Sequence, residues 1–315
     1  MDFRHLEYFV EISKENNITR AAERLFVSQS AVNQQLLKLE QELGTQLFVR
    51  DRRNWRLTEA GQVYLEGCRK ALLIKKDTYR QIADITQSRK GNIKIGLTPN
   101  RGLPMFTIIY PKLREKYPEQ NVIPLELDAK SQMNAVSHGE IDLGFMVQPS
   151  QPDEQQYISV DLGAEEMVVL VPEDNPLCKE IPLDSSNPEH LPTIDISKLA
   201  NEFFILTQIG SSGTVHRQIC DKIFETAGFV PHKLMETSSS LHVVRMAEAC
   251  HCCAIIPRFY SSTAHSSLRQ FVLPEHPGWH LYIIYRRAAY LTSAAKEFIR
   301  LAKNYWRVRL IPPQN

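Results

Sequence analysis

The chain has 315 residues, 43% hydrophobic and 23% charged, with 37 Lys and Arg against 36 Asp and Glu. That length holds two or three domains with real cores, and a net charge of +1 excludes a polycation that grips nucleic acid through its overall field. No stretch approaches 18 uninterrupted apolar residues and MDFRHLEYF lacks the apolar core of a signal peptide, so a cytoplasmic chain without a membrane span is expected.

The first informative stretch is Ile18 to Gly61. Thr19 is placed to cap a helix starting at Arg20, with Ala21, Ala22 and Leu25 on one face. Ser28 is a second N-cap candidate, and Ala31, Val32, Leu36, Leu39 and Leu43 form an inward stripe up to a stop at Gly44. The outward face of this second helix carries Ser28, Gln29, Ser30, Asn33 and Gln34. A recognition helix reads bases with residues near its N-terminus, and Asn and Gln make bidentate contacts to adenine. These five residues are therefore the candidates for base readout.

LFVRDRRNWRLT follows, with Arg50, Arg52, Arg53 and Arg56 around a turn near Asn54 and only Asp51 opposing them. Alone, such a charge run is an ordinary solvated hairpin. Beside a helix pair it reads as a basic wing, with Arg50, Arg52 and Arg53 as phosphate contacts that position without specifying sequence. Residues 1–60 balance at nine Lys/Arg against nine Asp/Glu, so any DNA-facing field comes from local placement.

From Thr58 to about residue 88 the pattern is one long helix, with Leu65, Leu72 and Tyr79 recurring every seven residues. A seven-residue apolar repeat favours a two-helix seam. Ser88 to Asn92 then serves as a hinge.

Strands and helices alternate from there: strand 92–98, helix 102–116, strand 121–128, helix 131–138 and strand 141–147. A similar set recurs as strand 166–172, strand 203–207, helix 212–227, strand 233–238, helix 240–250 and strand 253–257. Strand 279–287 and a helix near 292–307 close the series. Strand–helix–strand repeats imply parallel sheets. The expected layout is two α/β Rossmann-like lobes, with the chain crossing between them near 163–166 and 265–270. Lobe 1 is then about 91–164 and 268–307, and lobe 2 about 165–267. Ligands in such lobes bind at the carboxyl ends of strands, where helix N-termini suit anions. That selects Thr98, Asn100 and Arg101, then Gln148, then Thr207, Gln208 and Ser211, then Ser238 and Ser239. With Arg101 among them, the expected ligand is a small organic anion.

The motifs LEYFVEI (6–12), AAERL (21–25), SQSAV (28–32), LEQELG (39–44), LFVR (47–50) and LTEAG (57–61) together resemble the N-terminal domain of LysR-type transcriptional regulators. GNIKIGLTPN (91–100), YPKLREKYPEQNV (110–122), GEIDLGF (139–145) and AIIP (254–257) are similar to the effector domain of the same family. The resemblance implies α/β architecture: an all-α winged helix-turn-helix domain (1–60), a linker dimerisation helix and hinge (58–90), and a periplasmic-binding-protein-like effector domain (91–315). It also implies double-stranded DNA with an interrupted palindromic operator, a small-molecule effector, and a homodimer or homotetramer. Asn33 and Ser30 depart from the family, which usually has Ser and often Pro there.

Cys250-His251-Cys252-Cys253 also departs from the usual effector domain, which often has a glycine-containing turn at this point. Cys and His ligate zinc and copper, yet adjacent residues cannot all face one tetrahedral site, and the spacing is not a zinc finger's. Small cysteines at a packed turn are the plain reading, with a metal- or thiol-redox-responsive regulator as the alternative function. The six cysteines (68, 178, 220, 250, 252 and 253) fit a reducing compartment. Residues 177–199, with Pro182, Pro188 and Pro192, read as an extended surface insertion. No nucleophile elbow, Walker loop or GxGxxG is present, so catalysis, a cofactor and a metal site are not expected.

Overall fold

Side-chain caps set most of the helix starts in the computed structural model of the chain, which describes residues 2–50, 55–86, 91–182, 190–210, 214–264 and 267–310. The chain divides into two units, Met1–Ser88 and Arg89–Asn315.

In the first unit, α1 (Phe3–Glu15) is followed by α2 (Ile18–Arg24), α3 (Gln29–Leu43), a hairpin of β1 (Phe48–Arg50) and β2 (Trp55–Leu57), and α4 (Glu59–Ile85). The hairpin makes this unit helical with a small sheet, not all-α. Asn17, rather than Thr19, caps α2: its Oδ1 accepts from the N–H of Thr19 and Arg20 at 2.9 and 3.1 Å. Asn ranks above Thr as an N-cap, and helix ends read from sequence commonly slip by one or two residues. Ser28 caps α3 as expected, accepting from Ala31 N–H at 3.2 Å, and Thr58 caps α4, accepting from Gly61 N–H at 3.0 Å. Phe9 packs on Phe48 and Tyr64 at ring distances of 5.1 and 4.8 Å, and Leu6, Ile12, Ala21, Val32, Leu36 and Leu65 complete the core. Burial contributes roughly 1.5–3 kcal/mol for each large side chain here.

The turn between α2 and α3 contains an outlier. Phe26 sits at φ 55° with its side chain 95% exposed. A bulky residue in the left-handed region is strained by roughly 1–2 kcal/mol, and this ring recovers nothing by burial. Phe26→Asn is expected to raise stability by about 1 kcal/mol. Denaturant melts of the full chain check this, and an unchanged or earlier midpoint would show that the ring is held by contacts worth more than the strain.

On α4 the heptad positions Leu65 and Leu72 turn inward, Leu65 buried and Leu72 packed on the same core. Leu65 is thus taken up inside its own unit, Leu72 is half-buried there, and Tyr79, the third heptad position, is exposed. The opposite face exposes Val63, Ile74 and Ile85, with Ile82 exposed on its flank. Val63, Ile74 and Ile85 are eleven residues apart, close to three full helical turns, so the stripe runs nearly straight along the helix.

The second unit is built from β3 (Gly91–Leu97), α5 (Gly102–Lys116), β4 (Gln120–Glu126), α6 (Ala129–Ser137), β5 (Leu143–Gln148) and β6 (Tyr157–Pro172). These are followed by α7 (Pro176–Glu180), β7 (Phe203–Thr207), α8 (Thr214–Ala227), β8 (His232–Thr237), α9 (Ser240–Cys250), β9 (Cys253–Pro257), β10 (Leu268–Val272), β11 (Gly278–Arg286) and α10 (Ser293–Arg307). Strand order is β4-β3-β5-β11-β6-β9-β7-β8, with β10 also on β6. The parallel β3–β4, β3–β5, β7–β8 and β7–β9 pairs form the centres of two α/β lobes.

One 16-residue strand, β6, makes the first crossing. Residues 157–166 pair with β11 of lobe 1, and residues 167–172 pair with β9 and β10 of lobe 2, with a register break beside Leu281 and Tyr282. The sequence pattern begins this strand only at 166 because its first half is half-polar. The second crossing lies at 273–277, not 265–270: β10 pairs antiparallel with 168–172 and therefore belongs to lobe 2. The 177–199 segment is also more than a surface excursion. Cys178, Ile194, Ile196 and Leu199 are buried in it, and Thr193 bridges to Val272; residues 183–189 lie outside the described residues.

Candidate functional site

The helix-turn-helix exposes Ser28, Gln29, Ser30 and Gln34, with Asn33 half-buried. Ser28 is committed to its cap and also lies 3.1 Å from the Ser30 hydroxyl. The amides of Gln29 and Gln34 are on the open side of α3, opposite Val32 and Leu36 in the core. Arg50 departs from the free phosphate contact expected of it. Its guanidinium pairs with Glu40 and stacks over Trp55 at 5.2 Å. Glu40 also accepts from Leu47 N–H at 2.8 Å, so the pair ties the hairpin to the end of α3. Arg52 and Arg53 lie outside the described residues; Arg56 is exposed on β2.

In the second unit, the carboxyl ends of the strands meet at a small cavity between the lobes. Thr98, Pro99, Asn100, Arg101 and Val147 line it from lobe 1, Val215, His216, Ser240 and Tyr260 from lobe 2, and Trp279 from the start of β11. Its volume is about 40 Å³, room for on the order of three waters.

Arg101 is not an open anion site. The side chain is 4% exposed, and Nη2 donates to both oxygens of Glu165 at 2.8 and 2.7 Å. Glu165, on the crossing strand, also accepts from Phe259 N–H at 2.8 Å and Trp279 Nε1–H at 2.6 Å. The rings of Phe259 and Tyr260 lie 4.2 and 4.8 Å from the guanidinium carbon. Tyr260 donates its hydroxyl to the Asn100 carbonyl at 3.2 Å, and burial pushes that phenol up. Lobe 1, the crossing strand and lobe 2 are thus joined through one buried ion pair. Beside it, Glu166 pairs with Arg258 and with His276 Nδ1 at 2.7 Å, so the second crossing is tied to the first.

His216 is fully enclosed. Its ring nitrogens lie 2.8 Å from the Ile255 carbonyl and 3.0 Å from the Ser240 hydroxyl. Burial pulls its pKa down to about 4; the Ile255 bond opposes this and the Arg101 charge adds to it. The ring is therefore neutral at pH 7.

The other expected contacts are not among the lining residues. Gln148 faces the opposite side of β5, where its Nε2 lies 3.4 and 3.7 Å from the sulfurs of Met133 and Met146. Strand alternation turns Val147 to the cavity instead. Thr207 is fully buried and its carbonyl accepts from Arg217. Gln208 extends the edge of the sheet by donating its N–H to Thr237. Ser238 is exposed, and Ser239 caps α9, accepting from His242 N–H at 3.4 Å, while the next residue, Ser240, turns inward. Ser211 lies outside the described residues. Sequence reasoning misses His216, Ser240, Tyr260, Trp279 and Glu165. A signal for the last was present: two adjacent acids, Glu165 and Glu166, open an otherwise apolar run, and buried acids need partners.

Cys250-His251-Cys252-Cys253 is a helix C-cap. His251 adopts φ 48° where glycine is usual, and Cys252 N–H closes on the Ala247 carbonyl. Cys252 and Cys253 are buried, and burial pushes both thiols up. Among the described residues, no group of three His, Cys, Asp or Glu is placed to hold a metal ion.

Residues 3–62 match the bacterial regulatory helix-turn-helix domain of the LysR family, and residues 86–307 match the LysR substrate binding domain. The chain belongs to the LysR family of DNA-binding transcription regulators, with a helix-turn-helix unit and an effector-binding unit. It is 28% identical over 97% of both chains to the uncharacterized HTH-type transcriptional regulator YwbI of Bacillus subtilis. It is 32% identical to the Hca operon transcriptional activator HcaR of Escherichia coli, over 57% of this chain and 60% of that one. Full-length BenM shares the fold at TM-score 0.56 and 22% identity, with both chains fully covered. A full-length OxyR variant from Pseudomonas aeruginosa gives 0.62 at 20% identity, over all of this chain and 99% of that one. CbnR complexed with its target DNA gives 0.55 at 19%, over 97% of this chain and all of that one. Among the described residues no helix is long and apolar enough to cross a membrane.

Proposed function

We propose that this protein is a cytoplasmic regulator that reads an interrupted palindrome as a homodimer or homotetramer, and that a small molecule in the inter-lobe cavity resets it. The observation that carries the reading is the Arg101–Glu165 pair in the cavity wall. It joins both lobes and a crossing strand, so a ligand that alters it alters their relation. The exposed stripe of Val63, Ile74 and Ile85, with Ile82 on its flank, supports pairing of two α4 helices. Two-fold pairing would present two copies of α3 to two half-sites.

Gln29→Ala is expected to weaken operator binding by about 1–3 kcal/mol while leaving nonspecific DNA affinity nearly unchanged. Fluorescence anisotropy on operator and scrambled duplexes reads both, and equal losses would assign Gln29 to the backbone. The effector role is tested by titrating small molecules against the full chain and following melting temperature and operator affinity together. A ligand that stabilises the protein and leaves DNA affinity fixed at every operator would remove the signalling role. Thiol signalling through Cys250, Cys252 and Cys253 draws little support: Cys252 and Cys253 are buried with their thiols pushed up, and Cys250 alone of the three is exposed. The organic anion expected from Arg101 loses its main warrant, because that charge is already matched.

A further inference from the structure

Glu165 is bound as a ligand carboxylate would be. Its oxygens take hydrogen bonds from a guanidinium, a backbone amide and an indole, and its side chain is 2% exposed. The donors come from Arg101 at the start of α5, Phe259 just after β9 and Trp279 on β11. Such convergence of fixed donors from separate elements is how a cleft grips a bound anion. Arg101 Nη1 has no hydrogen-bond partner and is closed off from water, so a ligand in the cavity that Arg101 lines reaches it only when the wall gives way.

We propose that Glu165 is a built-in substitute for a ligand carboxylate, and that the cavity therefore takes an uncharged molecule that presents a carbonyl or hydroxyl oxygen to Arg101 Nη1. This deepens, and rests on, the reading of the cavity as the effector site. The charge balance carries it. Arg101 and Glu165 cancel, and among the described residues no other side chain lining the cavity supplies a counter-charge at pH 7, His216 included. A carboxylate placed beside Nη1 would leave one negative charge unmatched in an enclosed site, and the desolvation penalty of such a charge is not recovered. A neutral oxygen gains a charge-assisted hydrogen bond without that penalty. It also gives a partner to Nη1, which has none. The available 40 Å³ accepts the polar tip of a ligand, and a larger body requires the lobes to part.

The test uses the full chain and formate, the smallest carboxylate, as probe, with sodium sulfate holding the ionic strength constant. Glu165→Ala leaves a hole of carboxylate size beside an uncompensated Arg101. Formate at about ten times its dissociation constant is expected to raise the variant's melting temperature by about 3 °C or more. The wild-type protein is expected to show no formate response beyond that of the sulfate control. If Glu165→Ala does not fold, Glu165→Ser, which also leaves the carboxylate slot open beside Arg101, is expected to show the same formate dependence. Absence of formate rescue in the variant that folds overturns the proposal, as does equal stabilisation of the wild-type protein. If formate restores the variant's melting temperature but leaves its operator affinity unchanged, the internal carboxylate stands and the effector reading falls.

Discussion

Gly61→Ala is expected to unfold the N-terminal unit and abolish operator binding. A Cβ at position 61 would stand 2.0 Å from the carbonyl oxygen of Leu47 and 3.0 Å from a Leu57 methyl. The obstacle is backbone, and it is held in place: the same carbonyl accepts from Thr58 N–H at 3.0 Å, and Leu47 N–H is fixed by Glu40. The first turn of α4 and the start of the hairpin cannot separate without breaking the bonds that Thr58 donates from its N–H to the Leu47 carbonyl and from its hydroxyl to the Gln46 carbonyl. The loss is placed at the top of the overpacking range, about 3 kcal/mol or more. Anisotropy on operator DNA reads the loss of binding, and far-ultraviolet dichroism reads the lost helix. Retention of operator affinity within twofold would mean that α4 shifts by more than an ångström at little cost.

The second large effect is acid sensitivity from His216. Its folded pKa, about 4, lies below the ordinary 6.5 of an unfolded chain. The unfolded state therefore binds the extra proton first, and the stabilising contribution of the neutral ring is complete above about pH 6.5 and is lost as pH falls toward 4. Between pH 7 and pH 5 this one group is expected to remove about 2 kcal/mol from the effector unit. The groups around it are the Ser240 hydroxyl, the Ile255 carbonyl, the Trp279 ring and the Arg101 charge. None supplies an anion to retain the proton. His216→Asn is expected to be less stable at pH 7, having lost a bond, but to show a shallower decline between pH 7 and pH 5. Urea melts at the two pH values measure both slopes. Identical slopes in wild type and variant would show that protonation of His216 does not set the acid sensitivity of this unit.

Both predictions rest on close approaches between distant parts of the sequence, which local pattern does not reveal. The elements themselves were largely legible. Helix and strand periodicity, the caps at Ser28 and Thr58 and the stop at Gly44 are local chemistry, and the structure has them where the residues indicate. Apart from the two-residue slip in the α2 cap, the errors are of one kind. Leu65, Leu72 and Tyr79 recur at heptad spacing, but spacing does not say which partner covers a face. The first two meet the core of their own unit, and a different stripe is left open. Strand β10 reads as the return to lobe 1 because it is near the end of the chain, yet its pairing partner is the second half of β6.

The candidate cavity shows the same division. Composition and motif order determined a helix-turn-helix reader joined to a two-lobed binding unit, because capping, turn and alternation preferences act over a few residues. They also marked Thr98, Asn100 and Arg101 at the end of β3 as cavity residues. What Arg101 does there depended on Glu165, 64 positions away in the chain, and on Phe259, Tyr260 and Trp279 farther still. Read alone, Arg101 is a positive charge waiting for an anion. In the folded chain the anion is already present. A buried charge must find its partner within a few ångströms whatever the separation in sequence, so only the tertiary structure decided what the cavity is prepared to bind.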